Sequence, residues 1–163
     1  MLTKIVSGGQ TGVDRGALDA ALELDFDCGG WCPLGRRAED GPIAVRYPLT
    51  ESESPRYEPR TEQNIVDSDA TLIITGGRLE GGTRLTLELA LQQNKPCLVI
   101  DLRQPLEFDQ IKNWLNALNI SILNIAGPRE SKQPGIAEKT QKLVVELLTL
   151  TTQSLTTGVS PTS

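Results

Sequence analysis

Two glycine-rich segments, each placed between an apolar strand and a helix, constrain the fold of this chain most strongly. The first is GGQTG at residues 8–12, after the apolar run at residues 4–7. The second is GGRLEGGT at residues 76–83, after the apolar run at residues 70–75. Glycine permits positive φ and lets a ligand approach the backbone closely, and N–H groups at the start of the next helix face that ligand. Both segments therefore predict phosphate-binding loops that share one cleft.

Apolar runs alternate with helical patterns along the chain, and this alternation predicts an α/β fold. Strands are expected at residues 4–7, 29–32, 70–75, 96–101 and 121–126, and helices at residues 13–24, 61–67, 83–93, 108–118 and 136–150. Unbroken apolar strands joined by helices are typical of a parallel sheet covered on both faces. The prediction is a Rossmann-like three-layer sandwich with a mostly parallel sheet, whose ligands bind beyond the carboxyl ends of the strands.

The helix predicted at residues 83–93 carries leucines on nearly all sides. This pattern predicts burial on several faces, although the same leucines also fit a subunit interface. Thr83 is predicted as the N-cap, since its hydroxyl can accept a hydrogen bond from the N–H of Thr86.

Length and composition predict one ligand-binding domain at residues 1–150, followed by a disordered tail at residues 151–163. A chain of 163 residues buries roughly 70% of its unfolded surface, which is enough for one core. The tail is mostly Ser, Thr and Gly, which is too polar to be ordered by burial. Residues 33–60 are rich in Pro, Gly and charge and predict a long irregular excursion of the kind that often carries function.

Charge and composition narrow the classes of partner. The net charge of −5 disfavours binding of nucleic acid, which needs a basic face, whereas local arginines and N–H groups still allow a small anionic ligand. No apolar run approaches the ~18 residues of a membrane span, and the first residues, MLTKIVSGG, contain no signal peptide. A cytoplasmic protein with reduced thiols is predicted. The absence of histidine excludes a Ser-His-Asp triad and a Cys-His pair.

The three cysteines do not predict a zinc site, because zinc needs four thiolate or histidine ligands. Cys97 lies in a predicted buried strand, where an inert core thiol is expected. Cys32 lies in a predicted loop, which leaves a role towards a soft metal or a sulfur ligand open.

The candidate ligand-binding residues belong to the two glycine loops and to the arginine pair between them. They are Gly8, Gly9, Gln10, Thr11, Gly12, Arg15, Arg37, Gly76, Gly77, Gly81, Gly82 and Thr83. Each has an alternative interpretation: a tight turn without a ligand for the glycines, and a solvated charge cluster for Arg36 and Arg37 rather than a bidentate phosphate clamp. Asp14 either complements the helix dipole or contacts a ligand or metal-bound water. Arg60 and Asn64 also stand where they can enter the cleft.

Five blocks together resemble the putative molybdenum carrier family: GGQTGVDRGALDAA, GWCPLGRRAEDGPI, YPLTE, Y-x-x-RTEQNIVDSDATLII and EGGTRLTLELA, from about Lys4 to about Ile125. The resemblance implies a Rossmann-like fold of the group that includes lysine-decarboxylase-like proteins, cytokinin-activating phosphoribohydrolases and a DNA-processing protein. It also implies a homo-oligomer (dimer or tetramer) that binds molybdenum cofactor, a pterin carrying a phosphate and a dithiolene-bound metal, with molybdoenzymes as acceptors. The resemblance further implies that the ligand is bound by Gly8, Gly9, Gln10, Thr11, Gly12, Arg15, Arg37, Gly82 and Thr83.

One departure from the enzymatic relatives bears on catalysis. Their second loop resembles PGGxGTxxE, in which the glutamate acts in N-glycosidic cleavage. Here Thr86 occupies the position of that glutamate, three residues after Thr83, and the next acidic residue is Glu88. Two further residues on a helix rotate the carboxylate by about 200° from the catalytic position. Binding of an intact ligand is therefore favoured. The alternative is a nucleotide-processing enzyme or nucleotide sensor that uses Asp14, Glu39, Asp40 or Glu88.

Overall fold

The computed structural model describes residues 1–153 and shows a parallel sheet covered by helices on both faces, so the predicted Rossmann-like sandwich is confirmed. The strands are β1 (Lys4–Val6), β2 (Cys28–Gly29), β3 (Trp31–Cys32), β4 (Arg37–Ala38), β5 (Gly41–Pro42), β6 (Thr50–Glu51), β7 (Ala70–Thr75), β8 (Cys97–Asp101) and β9 (Ile122–Ala126). The helices are α1 (Val13–Glu23), α2 (Tyr57–Val66), α3 (Gly81–Gln92), α4 (Phe108–Ala117) and α5 (Ile136–Gln153).

The main sheet has the order β2-β1-β9-β7-β8, and every neighbouring pair in it is parallel. Strand β7 is buried along its whole length, from Ala70 to Thr75, as expected for an apolar strand covered on both faces. Counted from β9, the order is that of the first five strands of the Rossmann fold, 3-2-1-4-5. The last strand of this chain therefore occupies the place of the first strand in that fold.

The central position of β9 separates the two strands that carry the glycine loops. A third loop, at residues 127–135, follows β9 and lies between the two glycine loops at the carboxyl edge. The backbones meet closely there: a Cβ on Gly12 would lie 2.2 Å from the Pro128 carbonyl oxygen, and a Cβ on Gly127 would lie 2.2 Å from the Ile74 carbonyl oxygen. Glycine is needed at both positions because no side chain fits between these backbones.

The excursion at residues 33–60 is more ordered than the sequence predicts. Strand β6 within it pairs in parallel with β3, which directly precedes it, and β4 and β5 form a hairpin. The Arg36 guanidinium donates to four backbone carbonyls, those of Ile43, Ala44, Tyr47 and Leu49. Arg36 is therefore neither a phosphate clamp nor a solvated charge, because it holds the excursion together.

Helix α3 differs from its prediction in two ways. It begins at Gly81 with Glu80 as N-cap, so Thr83 lies inside the first turn and is not the cap. It is also not buried on several sides, because Leu91 is 64% exposed, and the neighbouring edge strand β8 leaves Val99 38% exposed. The predicted pattern overestimated burial here because β8 has a partner on one side only.

The C-terminal end of the domain also lies beyond the predicted boundary. Helix α5 continues to Gln153, so residues 151–153 are helical although they were assigned to the tail. The rest of the predicted tail, residues 154–163, lies outside the described residues. No helix in residues 1–153 is long and apolar enough to cross a membrane.

The close approach of the first glycine loop to the β9 loop can be tested with a matched pair of substitutions. Gly12 and Gly35 have nearly the same φ, 82° and 83°, but no atom lies within 4 Å of a Cβ built at Gly35. We expect Gly35→Ala to lower the free energy of unfolding by about 1 kcal/mol. Gly12→Ala should lower it by about 1–3 kcal/mol more, because of the backbone contact and because the Gly12 ψ of −130° at this φ disfavours any side chain. Urea unfolding measures both, and equal losses would contradict this account of the loop contact.

Candidate functional site

A cavity of about 560 Å³ opens at the carboxyl edge of the sheet, within the size range of small-molecule sites. Its walls come from the first glycine loop, the start of α2, the second glycine loop with the start of α3, and the loop after β9. Its charged lining residues are the basic Arg56, Arg60, Arg78, Arg129 and Lys132 and the acidic Asp14, Glu58 and Glu80. The cavity is thus locally cationic in a chain whose net charge is −5.

The structure brings only some of the predicted site residues to this cavity. Gln10, Gly81, Gly82 and Thr83 line it. The lining does not include the other candidates, Gly8, Gly9, Thr11, Gly12, Arg15, Arg37, Gly76 and Gly77. Arg60, which the sequence placed near the cleft, does line the cavity, whereas Asn64 holds the backbone of Trp31 instead.

The first glycine loop presents no free N–H group to the cavity: the amides of Gly8, Gly9 and Gly12 donate no hydrogen bond within residues 1–153, but these glycines are buried and do not line the cavity. The amide of Gln10 donates to the Asp14 carboxylate at 3.3 Å, and that of Thr11 donates to Gln10 Oε1 at 3.0 Å. The amide of Val13, the first residue of α1, donates to the Pro128 carbonyl at 3.1 Å. These donors are therefore already satisfied within the protein.

The two arginines expected to flank an anion have other partners. Arg15 forms a two-pronged ion pair with Asp40, at 2.6 Å and 3.1 Å, and also donates to the Gly9 carbonyl. Arg37 stacks over the ring of Tyr57, with its guanidinium carbon 5.1 Å from the ring centroid. Arg15 therefore fixes the β4–β5 hairpin to α1, and Arg37 contributes charge next to the cavity without lining it.

The start of α3 opens to the cavity and, unlike the start of α2, which also lines it, has no acidic residue in its first turn. Within residues 1–153, the amides of Gly81 and Gly82 donate no hydrogen bond, and both residues are exposed. Glu80 makes no side-chain cap, and α3 has no acidic residue in its first turn, whereas each of the other four helices has one. Free N–H groups and an uncompensated dipole favour an anion at this terminus.

The start of α5 is filled by the protein itself. Glu130 accepts hydrogen bonds from the amides of Gly135 and Ala137, the latter at 3.0 Å. This carboxylate occupies the helix terminus after the central strand, where Rossmann folds ordinarily bind a pyrophosphate. An anionic ligand of this chain is therefore directed to α3 rather than to α5.

A buried ion pair lines the cavity. Arg60 Nη1 lies 3.3 Å from Asp14 Oδ2, and the two side chains are 13% and 5% exposed. Burial raises the pKa of Asp14 above its ordinary value, although the guanidinium of Arg60 and the hydrogen bond from the Gln10 amide act in the opposite direction. Arg60 Nε is buried without a partner. A Cβ on Gly8 would lie 1.8 Å from Arg60 Nη1, so Gly8 leaves the space that the guanidinium occupies.

Tyr57 gathers positive charge on the α2 wall. The guanidinium carbons of Arg37, Arg60 and Arg129 lie 5.1, 5.7 and 5.9 Å from its ring centroid. Cations within about 6 Å of an aromatic face are attracted by the ring. The tyrosine therefore helps to hold three like charges together beside the cavity, where they raise the local positive potential.

Three of the acidic residues considered for catalysis lie outside the cavity lining. Glu39 accepts hydrogen bonds from Thr11 and Ser131; burial would raise its pKa, but these hydrogen bonds lower it overall. Asp40 is paired with Arg15, whose hydrogen bond lowers the pKa of Asp40. Glu88 pairs with Arg84 on the exposed side of α3, as its shifted position predicted. Asp14 alone of the four lines the cavity.

The loop after β9 is the part of the site that the sequence reasoning missed. It supplies Gly127, Pro128, Arg129, Lys132 and Gln133 to the cavity lining. Gln133 also accepts from the amide of Gly76 at 2.6 Å and so joins this loop to the second glycine loop. The signal was present, since glycine again follows an apolar strand and precedes a helix, with Arg and Lys between them.

The cysteines are free thiols without a metal-site arrangement. No group of three or more His, Cys, Asp or Glu in residues 1–153 is placed to hold a metal ion. Cys32 lies buried in β3 rather than in a loop, and Cys97 is only partly buried on the edge strand β8. Burial raises the pKa of all three thiols, that of Cys97 to about 11.

The comparisons with known proteins agree with this geometry. The model of the circularly permutated YpsA SLOG family matches residues 5–148. The chain belongs to this family. The strand order, which is that of a Rossmann fold counted from β9, fits the permutation in the family's name.

A solved structure extends this assignment. The crystal structure of a putative molybdenum carrier protein from Syntrophus aciditrophicus SB is 47% identical in sequence and superposes with a TM-score of 0.84. The match covers 88% of this chain and 94% of that chain. The resemblance to the molybdenum carrier family is thus confirmed. No curated protein matches this chain.

Thiol labelling tests whether Cys32 is available to a soft ligand. We expect Cys28 and Cys32 of the folded protein to react with a disulfide reagent more than about tenfold more slowly than in denaturant, since the thiolate is the reactive form and both thiols are buried. The rates are followed by absorbance and the labelled positions by mass spectrometry. Rapid labelling of Cys32 in the folded protein would contradict this burial and show that the thiol is accessible to a soft ligand.

Proposed function

We propose that this chain binds a phosphate-bearing ligand in the cavity and stores or carries it intact, and that this ligand is molybdenum cofactor. The observation that carries the proposal is the uncapped start of α3, where the exposed amides of Gly81 and Gly82 face a cationic cavity. The phosphate accepts hydrogen bonds from these two N–H groups, and the hydroxyl of Thr83 lies beside them. Charge-assisted hydrogen bonds of this kind are about twice as strong as neutral ones.

Positive side chains on three walls support the same placement. Arg60 comes from α2, Arg78 from the second glycine loop, and Arg129 and Lys132 from the loop after β9. Among residues 1–153, Arg78 and Lys132 form no ion pair. Their charges are therefore free to draw an anion into the cavity.

The identity of the ligand follows from the family rather than from the charges. The solved relative is described as a molybdenum carrier protein, and molybdenum cofactor carries the phosphate that the start of α3 suits. Burial in a cavity of about 560 Å³ shields the pterin from solvent. The test is purification without air: cofactor co-purifies with the chain or is stabilised by it. Tight binding of simple nucleotides without any binding of the cofactor would contradict the proposal.

A nucleotide-processing hydrolase is the second candidate, and one observation favours it. Asp14 is a buried carboxylate in the cavity, beside Arg60, and a buried acid with a raised pKa is suited to acid–base chemistry. Incubation with a nucleotide panel, followed by chromatography for free base and sugar phosphate, decides between the two. Release of base by the wild type but not by Asp14→Asn would establish the hydrolase and replace the carrier proposal.

We further propose that the chain forms a homo-oligomer, a dimer or tetramer, in the cytoplasm and passes its cofactor to molybdoenzymes. The exposed Leu91 on α3 and Val99 on the edge strand β8 offer apolar surface for the subunit contact. Size-exclusion chromatography with light scattering measures the molar mass in solution and so tests for the oligomer. A strictly monomeric protein at all concentrations would contradict it.

The arginine that binds the anion can be identified with two matched variants. We expect Arg60→Gln to weaken sulfate binding at about neutral pH by more than about tenfold, because hydrogen bonds to charged groups contribute about 1.5–3 kcal/mol. Arg15→Gln removes the same charge from α1, next to the first glycine loop and outside the cavity lining, and sulfate affinity should change less than about threefold. Isothermal titration calorimetry measures both.

The reverse order of these two effects would place the anion beside Arg15 at the first glycine loop, which the sequence predicted as one of two phosphate-binding loops. Gly8→Ala gives an independent check, because its Cβ would occupy the position of Arg60 Nη1. We expect this variant to lose sulfate affinity without any change in charge. Circular dichroism of each variant verifies that the fold is retained.

A further inference from the structure

The buried pair of Asp14 and Arg60 is electrically balanced only while the cavity holds no anion. Asp14 is 5% exposed and has Arg60 as its ion-pair partner, at 3.3 Å. Arg60 is 13% exposed, and the bond to Asp14 is the one hydrogen bond that its guanidinium donates within residues 1–153. Its Nε is buried without a partner. A guanidinium with several unused donors in a cavity wall is placed to bind an anion as well.

We infer that Asp14 takes up a proton from solvent when an anion binds to Arg60, so that ligand capture by this chain is coupled to pH. This inference rests on the proposed function and deepens it, because it names the group that regulates the same site. An anion beside Arg60 competes with Asp14 for the guanidinium and adds negative charge next to a carboxylate that is only 5% exposed. Arg78, Arg129 and Lys132, which also line the cavity, form no ion pair with Asp14. Since a buried like charge strongly disfavours an ionised carboxylate, protonation of Asp14 restores the balance.

The surroundings of Asp14 support this assignment. The groups that face it are the Ser7 hydroxyl directly after β1, the Gln10 amide from the first loop, Arg60 from α2 and Arg15 from its own helix α1. Arg15 is held by Asp40 and offers Asp14 little further compensation. Burial already raises the pKa of Asp14 before a ligand arrives, so the carboxyl is poised for protonation.

The composition of the chain makes this coupling measurable. There is no histidine, so no side chain with an ordinary pKa changes charge between about pH 5 and pH 8. The cysteine thiols lie higher, because burial raises their pKa values. The chain's α-amino group, at Met1, lies outside the cavity lining. Proton uptake on sulfate binding in this range therefore reports a carboxyl group with a raised pKa, and Asp14 is the buried carboxyl in the cavity.

The experiment is calorimetric titration of the full chain with sulfate, which stays a dianion over this pH range, in buffers of different ionisation enthalpy. For the wild type we expect up to about one proton taken up per sulfate, and affinity that rises by up to about tenfold per unit fall in pH. Asp14→Asn should bind sulfate with no proton uptake and a flat pH profile. Asp109→Asn is the matched control: Asp109 is also the second residue of its helix but is exposed and outside the cavity, and its variant should keep the wild-type coupling.

Each outcome decides the matter. Sulfate binding by the wild type without proton uptake would overturn the inference and leave the proposed function standing. Uptake that persists in Asp14→Asn would assign the proton to another group and also overturn it. Absence of sulfate binding at every pH would contradict the inference and the anion site together. If Asp14→Asn does not fold, the wild-type titration still decides, because a flat profile refutes the coupling.

Discussion

The insertion of β9 between β1 and β7 is the constraint on which the rest of the structure depends. It brings a third loop between the two glycine loops, and the three backbones then approach so closely that Gly12 and Gly127 have no room for side chains. Close-packed backbone of this kind holds loops rigidly. The cavity is the space that remains between these loops and the starts of α2 and α3.

The distribution of carboxylates among the helix starts explains where an anion can bind. Asp14 accepts from the first glycine loop at α1, and Glu130 fills the start of α5. At α3 the amides of Gly81 and Gly82 stay free. Since each helix terminus of this fold could in principle attract an anion, the chain's own acidic residues select one of them. The position of the bound anion is thus determined by which helix N-termini are already occupied by carboxylates of the protein.

Arg36, Glu39 and Asp40 show how the long excursion serves the site without lining it. Arg36 binds four backbone carbonyls, which orders the segment. Glu39 and Asp40, at the tip of the β4–β5 hairpin, contact Thr11, Ser131 and Arg15. The hairpin thereby joins the first glycine loop to the loop after β9. Arg36, Glu39 and Asp40, which the sequence suggested as ligand contacts, therefore hold in place the loops whose residues line the cavity.

The sequence by itself determined the α/β class, the parallel sheet and the family, because apolar strand runs, helix patterns and motif blocks are local features. It also placed Gln10, Gly81, Gly82, Thr83 and Arg60 near a cleft, and it turned Glu88 away by helix geometry. Local patterns do not contain the order of strands, so the central position of β9 and the role of Arg129 and Lys132 were not predicted. Nor do they reveal which charges neutralise one another. Asp40 pairs with Arg15 and Asp14 with Arg60 over sequence separations of 25 and 46 residues, and the uncharged ring of Tyr57 holds Arg37 over 20 residues. Only the tertiary structure decided these pairs, because a charge acts on whatever lies within a few ångströms in space, and for that reason the structure leaves the start of α3, rather than the first glycine loop, free to receive an anion.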